Sequence, residues 1–142
     1  MILLDTSVLS LAYRRRRRTE AEPRAVAVLR GMIREDVPVA IPGIVLQEVL
    51  TGVRTDTQFV RLERALKAFP IISAEPQHHI LAARIANACR RKGVAASTVD
   101  CLIAALAAHN DAFLFTLDAD FTRMAPVCGM KLFEVPDGVT PN

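Results

Sequence analysis

Ile2-Leu3-Leu4-Asp5-Thr6-Ser7-Val8-Leu9 opens the chain with three apolar residues, a carboxylate, two hydroxyls and two more apolar residues. Ile2–Leu4 reads as a strand buried on both faces. Asp5-Thr6-Ser7 supplies the side-chain oxygens that start a helix, and a helix follows through Val8–Tyr13. A wholly apolar strand passing straight into a helix is how a parallel α/β sheet begins.

The alternation continues outward from there. Ala25, Val28, Leu29, Met32 and Ile33 repeat at helical spacing behind Pro23. Val37–Ile41 reads as a strand, and Pro42 opens a helix running to Gly52. Phe59, Leu62, Leu66 and Phe69 mark the next helix, and Pro70–Ser73 is a weak strand. Ile80–Cys89 predicts an amphipathic helix closed by Arg90-Arg91-Lys92-Gly93. Ser97–His109 is apolar nearly all round, so it belongs in the interior. Ala112–Phe115 and Lys131–Val135 are the last strands. The sum is an α/β fold with a mainly parallel sheet and right-handed crossovers.

The chain has 142 residues, of which 51% are hydrophobic and 23% charged. That excludes wholesale disorder and allows one domain, residues 1–142, with the last few as a tail. Only 5% are aromatic, with no Trp and one Tyr, which argues against a base-stacking nucleic-acid module. The net charge of +3 is unevenly spread. Residues 1–34 carry eight Arg against three acids, whereas residues 100–142 carry two basic and six acidic side chains. A basic front suits a polyanion, and an acidic back suits a local carboxylate cluster. Cys89, Cys101 and Cys128 form neither a disulfide framework nor a zinc pattern. The apolar start meets Asp5 too soon for a signal peptide, and no stretch is long enough to span a membrane. The expected compartment is a reducing cytoplasm.

In open α/β sheets ligands bind beyond the carboxyl ends of the strands. Asp5 ends the first strand, and Glu48 lies in the second turn of the helix after the second. Asp100 is in the first turn of the buried helix, and Asp118 and Asp120 follow the strand Ala112–Phe115. Each has a plain structural use taken singly. Asp5 can cap a helix, Asp100 can complete a capping box with Ser97, and Asp118 can form an Asx-turn. Glu48 fits such uses poorly, because Ile44 and Val45 put its carboxylate on an apolar face. Partly buried acids repel one another, and a divalent cation relieves the repulsion. Hard oxygen donors suit Mg²⁺ or Mn²⁺.

The ordered set Asp5-Thr6-Ser7, Glu48, Asp100-Cys101-Leu102-Ile103-Ala104-Ala105 and Thr116-Leu117-Asp118-Ala119-Asp120-Phe121 resembles the PIN-domain ribonucleases. It is most similar to the VapC-type toxins of type II toxin–antitoxin pairs. The resemblance covers nearly the whole chain. It implies a PIN-like, mainly parallel five-stranded sheet flanked by helices, and an Mg²⁺- or Mn²⁺-dependent endoribonuclease restrained by a small VapB-like antitoxin. It places the catalytic acids on Asp5, Glu48, Asp100 and Asp118, with Asp120 as an auxiliary acid. The small polar residues beside them fall on Thr6, Ser7 and Thr116.

Phosphodiester hydrolysis needs a nucleophilic water, charge neutralisation and help for the leaving oxygen, which divalent ions supply. Asp5, Asp100 and Asp118 would be metal ligands, and Glu48 would hold a metal-bound water. Thr6, Ser7 and Thr116 would orient the carboxylates. Such hydrolysis leaves a 5′-phosphate and a 3′-hydroxyl. Arg14, Arg15, Arg16, Arg17 and Arg18 form a heavier basic run than the pattern requires, and are candidates for RNA phosphate contact or for a solvated loop.

His78-His79 cannot readily share one ion, because adjacent helical residues diverge, so both are expected at the surface or against a partner. Residues 55–69 pack on one side and offer a groove for an antitoxin or a second subunit. The hydrophobic content also predicts a homodimer. Two rivals stand against the nuclease. A phosphate-accepting receiver domain wants paired acids after its first strand and an Asp after its third, where this chain has Thr6-Ser7 and an Asp-free Pro70–Ser73. A non-catalytic interaction module would use its acids only as caps.

Overall fold

The structure, a computed structural model, describes residues 1–14 and 23–136. Arg15–Arg18 and the C-terminal tail expected from the sequence lie outside the described residues.

Five strands form an all-parallel sheet in the order β3-β2-β1-β4-β5. They are β1 (Ile2–Leu4), β2 (Val39–Pro42), β3 (Ile71–Ile72), β4 (Phe113–Phe115) and β5 (Lys131–Leu132). The central strand β1 pairs Ile2 with Val39 on one side and with Phe113 on the other. Leu3, Leu4, Ile41, Leu114 and Phe115 are fully buried. A parallel sheet covered on both faces needs such continuous apolar strands, and removing them from water supplies the main drive to fold.

Helices α1 (Thr6–Leu9), α2 (Arg24–Arg34), α3 (Gly43–Leu50), α4 (Asp56–Leu66), α5 (Pro76–Arg91), α6 (Thr98–His109) and α7 (Ala119–Cys128) cover the sheet. Ile103, Ala104, Ala105, Leu106 and Ala107 of α6 are all buried, so the helix that is apolar all round is indeed interior. Its packing partner is α5. Gly93, after α5, takes a φ of 69°, the left-handed conformation that ends a helix at little cost for glycine.

The chain departs from the sequence reading at four places. The first helix changes to a π-helical turn over Ser10–Arg14 instead of running on as α-helix to Tyr13. Helix α5 starts at Pro76 rather than Ile80, because Glu75 caps it and Pro at the first position needs no N–H partner. Helix α7 was not anticipated. Pro126 sits inside it and reads as a breaker, but Asp118 caps the start and Phe121 and Met124 are buried. That burial outweighs one lost backbone hydrogen bond near the helix end.

The fourth departure corrects the histidine reading. His78 is only 5% exposed and faces neither solvent nor a free surface. Its Nδ1 accepts the Glu75 backbone N–H at 2.8 Å, and its ring stands edge-on to His109 with centroids 4.6 Å apart. Among the described residues Nε2 has no hydrogen-bond partner. Burial pushes the His78 imidazole below its ordinary pKa of 6.5, and His109 adds to the push.

Strand order reverses at β1, whose connections lead to β2 on one side and whose other neighbour is β4. This is the switch point at which an open α/β sheet forms its crevice. The first turns of α1, α3, α6 and α7 open at the same edge.

Candidate active site at the switch point

Asp5 leaves the end of β1 and caps α1. It is 4% exposed, one of two buried polar side chains among the described residues. A buried carboxylate needs hydrogen-bond donors, and three reach its Oδ2. They are the Ser7 hydroxyl at 2.7 Å, the Thr116 hydroxyl at 2.7 Å and the Ser7 backbone N–H at 3.4 Å. Each hydroxyl also accepts. Ser7 Oγ takes the Leu117 N–H at 2.9 Å, and Thr116 Oγ1 takes the Asp118 N–H at 3.0 Å. The loop after β4 is thereby pinned to the end of β1.

Asp118 caps α7, with its Oδ1 accepting the Asp120 N–H at 2.9 Å. Asp100 stands in the first turn of α6, where Ser97 Oγ accepts its backbone N–H at 3.0 Å. One carboxylate oxygen each from Asp100, Asp118 and Asp120 lies within 4.8 Å of the others. Burial pushes the Asp100 carboxyl above its ordinary pKa of 3.8, and the nearby Asp118 and Asp5 charges push the same way. Hydrogen bonds from Ser97 pull it partly back. Glu48, half-buried on α3, accepts the Thr6 hydroxyl at Oε1, 2.8 Å away.

The capping uses and the clustering are therefore both present, in the same residues. Asp5 and Asp118 cap helices and still converge at one edge. The cluster joins Asp100, Asp118 and Asp120, and the buried Asp5 is coupled to Asp118 through Thr116. Glu48 is tied to the end of β1 through Thr6. Three carboxylates this close raise each other's energy when ionised, and an all-oxygen donor set fits a hard divalent cation. Asp100, Asp118 and Asp120 are the residues that could hold it.

Arg14 points elsewhere, donating to the Thr51 carbonyl at 3.2 Å. Arg123, which sequence reading passed over, pairs with Asp120 on the first turns of α7. Its signal is the helical spacing Asp120-x-x-Arg123, legible only once residues 119–128 are seen as helix. A cleft of about 510 Å³ opens between the π-helical turn and α4, lined by Tyr13, Arg14, Arg54, Arg61 and Leu62 among others.

A parallel sheet whose acids meet at its switch point belongs to the open α/β domains that bind their ligands beyond the carboxyl ends of the strands. Comparison with known proteins narrows it. The PIN domain family model matches residues 2–126. Ribonuclease VapC11 of Mycobacterium tuberculosis is 32% identical over 133 residues, covering 92% of this chain and 96% of that one. Among solved structures, FitAcB from Neisseria gonorrhoeae superposes with a TM-score of 0.73 at 23% identity, over 94% of this chain and 97% of that one. A toxin–antitoxin complex from Klebsiella pneumoniae gives 0.64 at 25% identity, over 85% and 90%. The chain belongs to the PIN-domain family, in its VapC ribonuclease branch.

Proposed function

We propose that this chain is an endoribonuclease that hydrolyses RNA phosphodiester bonds with Mg²⁺ or Mn²⁺ and acts as a toxin in the cytoplasm. A small VapB-like antitoxin restrains it. The observation that carries the reading is the meeting of Asp100, Asp118 and Asp120 within 4.8 Å at the sheet's switch point. The 32% identity to ribonuclease VapC11 and the structural likeness to a Klebsiella pneumoniae toxin–antitoxin complex support it. Among the described residues no helix is long and apolar enough to cross a membrane, which agrees with a cytoplasmic site of action.

Asp100, Asp118 and Asp120 would hold the cation, with the nearby Asp5 adding negative charge. When bound, the cation neutralises the phosphate and makes water a better nucleophile. Glu48, oriented by Thr6 at Oε1, accepts the proton of the attacking water. Ser7 and Thr116 fix the Asp5 carboxylate and the loop that carries Asp118. The products are a 5′-phosphate and a 3′-hydroxyl.

Residues 1–142 act as one unit and pair as a homodimer, to which exposed Val60 and Ile80 lend apolar surface. The cleft lined by Tyr13 and Leu62 receives an antitoxin segment, its Arg14, Arg54 and Arg61 suiting acidic side chains.

The deciding assay is cleavage of structured RNA by the purified chain. Mg²⁺ or Mn²⁺ should support cutting and EDTA should stop it. Cutting that persists under chelation would reject the mechanism. Expression alone should slow growth, and the adjacent small protein should copurify and restore it. A monomer at micromolar concentration in light scattering would reject the dimer.

A further inference from the structure

Arg123 donates through Nη2 to Asp120 Oδ1. Among the described residues this is the ion pair made by the acids of the edge. The partners stand three residues apart on α7 and so share a face of the helix. Asp120 is also one of the three carboxylates within 4.8 Å of one another. The guanidinium thus rests on an acid that a divalent cation would claim. Both side chains remain open to solvent, Arg123 at 60% and Asp120 at 45%.

The energies favour an exchange of partners. An exposed ion pair at helical spacing contributes little and is readily given up. A guanidinium meets a phosphate with two parallel, charge-assisted hydrogen bonds, which is a stronger arrangement. RNA approaching this edge meets Asp5, Glu48, Asp100, Asp118 and Asp120, and a single divalent cation offsets only part of that charge.

We propose that Arg123 is an exchangeable counter-cation, which holds Asp120 in the free protein and passes to an RNA phosphate when a divalent cation takes Asp120. The proposal rests on the nuclease reading above. It couples cation loading to RNA affinity, and the coupling is reciprocal.

Calorimetry with Mn²⁺ alone, on the native chain, Arg123→Gln and Arg123→Lys, reads the first half. Anisotropy of a short labelled single-stranded RNA, in Ca²⁺ and again in EDTA, reads the second. Arg123→Gln should bind Mn²⁺ several-fold tighter, because Asp120 loses its competitor. In Ca²⁺ its RNA affinity should fall about tenfold, and the slope of log affinity against log salt should shrink by about 0.7, one single-strand phosphate contact. In EDTA the native chain and Arg123→Gln should differ less, and Arg123→Lys should lie between them throughout. Equal Mn²⁺ affinity in native and Arg123→Gln chains would overturn the exchange alone. So would an RNA loss of the same size in EDTA as in Ca²⁺. A native chain that takes up no Mn²⁺ would overturn the nuclease reading and the exchange together.

Discussion

The Thr116 hydroxyl donates to Asp5 Oδ2 at 2.7 Å while accepting the Asp118 N–H at 3.0 Å. One side chain thus ties the end of β1 to the capping residue of α7, joining segments 111 residues apart. The link acts on both stability and geometry.

Thr116→Val keeps the shape and removes the link. It should cost about 1–2 kcal/mol, since a buried carboxylate oxygen loses a donor. Cleavage should fall further than stability explains, because Asp118 loses its tether. Thr116→Ser should recover most of both. Urea melts beside cleavage rates check this; a Val variant cutting at the native rate would remove Thr116 from the site.

Asp100→Asn separates the ligand from the helix cap. The folded-state pKa of Asp100 is raised. Its contribution is therefore fully favourable below the ordinary value of 3.8 and is lost as pH rises through the folded value. At neutral pH the Asn variant should melt at the same temperature or higher without metal. Its Mn²⁺-induced upward shift should shrink, and cleavage should fall by about a hundredfold or more. Asp111→Asn is the control. Asp111 is exposed and pairs with Lys131 at 2.8 Å, so its loss should leave the Mn²⁺ shift and cleavage unchanged. If Asp100→Asn melts lower, keeps the Mn²⁺ shift and still cuts, Asp100 is only a cap.

Glu48→Gln retains an oxygen for the Thr6 hydroxyl but cannot take a proton. Thermal stability should stay near the native value. Single-turnover cleavage should drop by about 10²–10⁴-fold, the usual share of a general base. Cleavage at the native rate would exclude Glu48 from proton transfer.

His78 makes the fold sensitive to mild acid. Its folded pKa lies below 6.5, so above pH 6.5 neither state is charged and nothing is lost. As pH falls below 6.5 the unfolded chain binds the proton first, and stability declines. His109, Glu75 and His79 are the titratable groups that influence it. Between pH 7.5 and 5.5 the native chain should lose more melting temperature than His78→Gln, whose amide oxygen can still serve the Glu75 N–H. Parallel curves would assign the acid sensitivity elsewhere.

Much of this architecture is written locally in the chain. Ile2–Leu4 carries enough apolar character to be seen as a buried strand, and the helix cap that follows it places Asp5 at an edge. What local pattern does not contain is mutual distance. Asp5, Asp100 and Asp118 look equivalent along the chain, yet the tight cluster is Asp100, Asp118 and Asp120, while Asp5 is buried under three donors. The hold on Asp5 comes from two hydroxyls 109 residues apart, Ser7 and Thr116, converging on one oxygen. Helix α7 was hidden by Pro126, a residue whose cost is fixed by position in the helix rather than by identity. With α7 hidden, Arg123 had no visible partner. The burial of His78 likewise follows from α5 lying on α6, a contact between segments that sequence spacing alone does not bring together.

The switch point draws its carboxylates from residues 5, 48, 100, 118 and 120 of a 142-residue chain. A fragment ending before Thr116, whether from a stalled ribosome or from a protease, lacks the hydroxyl that secures Asp5 and two members of the acid cluster. The complete centre therefore comes into being only late in synthesis, and products that stop before Thr116 hold Asp5, Glu48 and Asp100 without their partners.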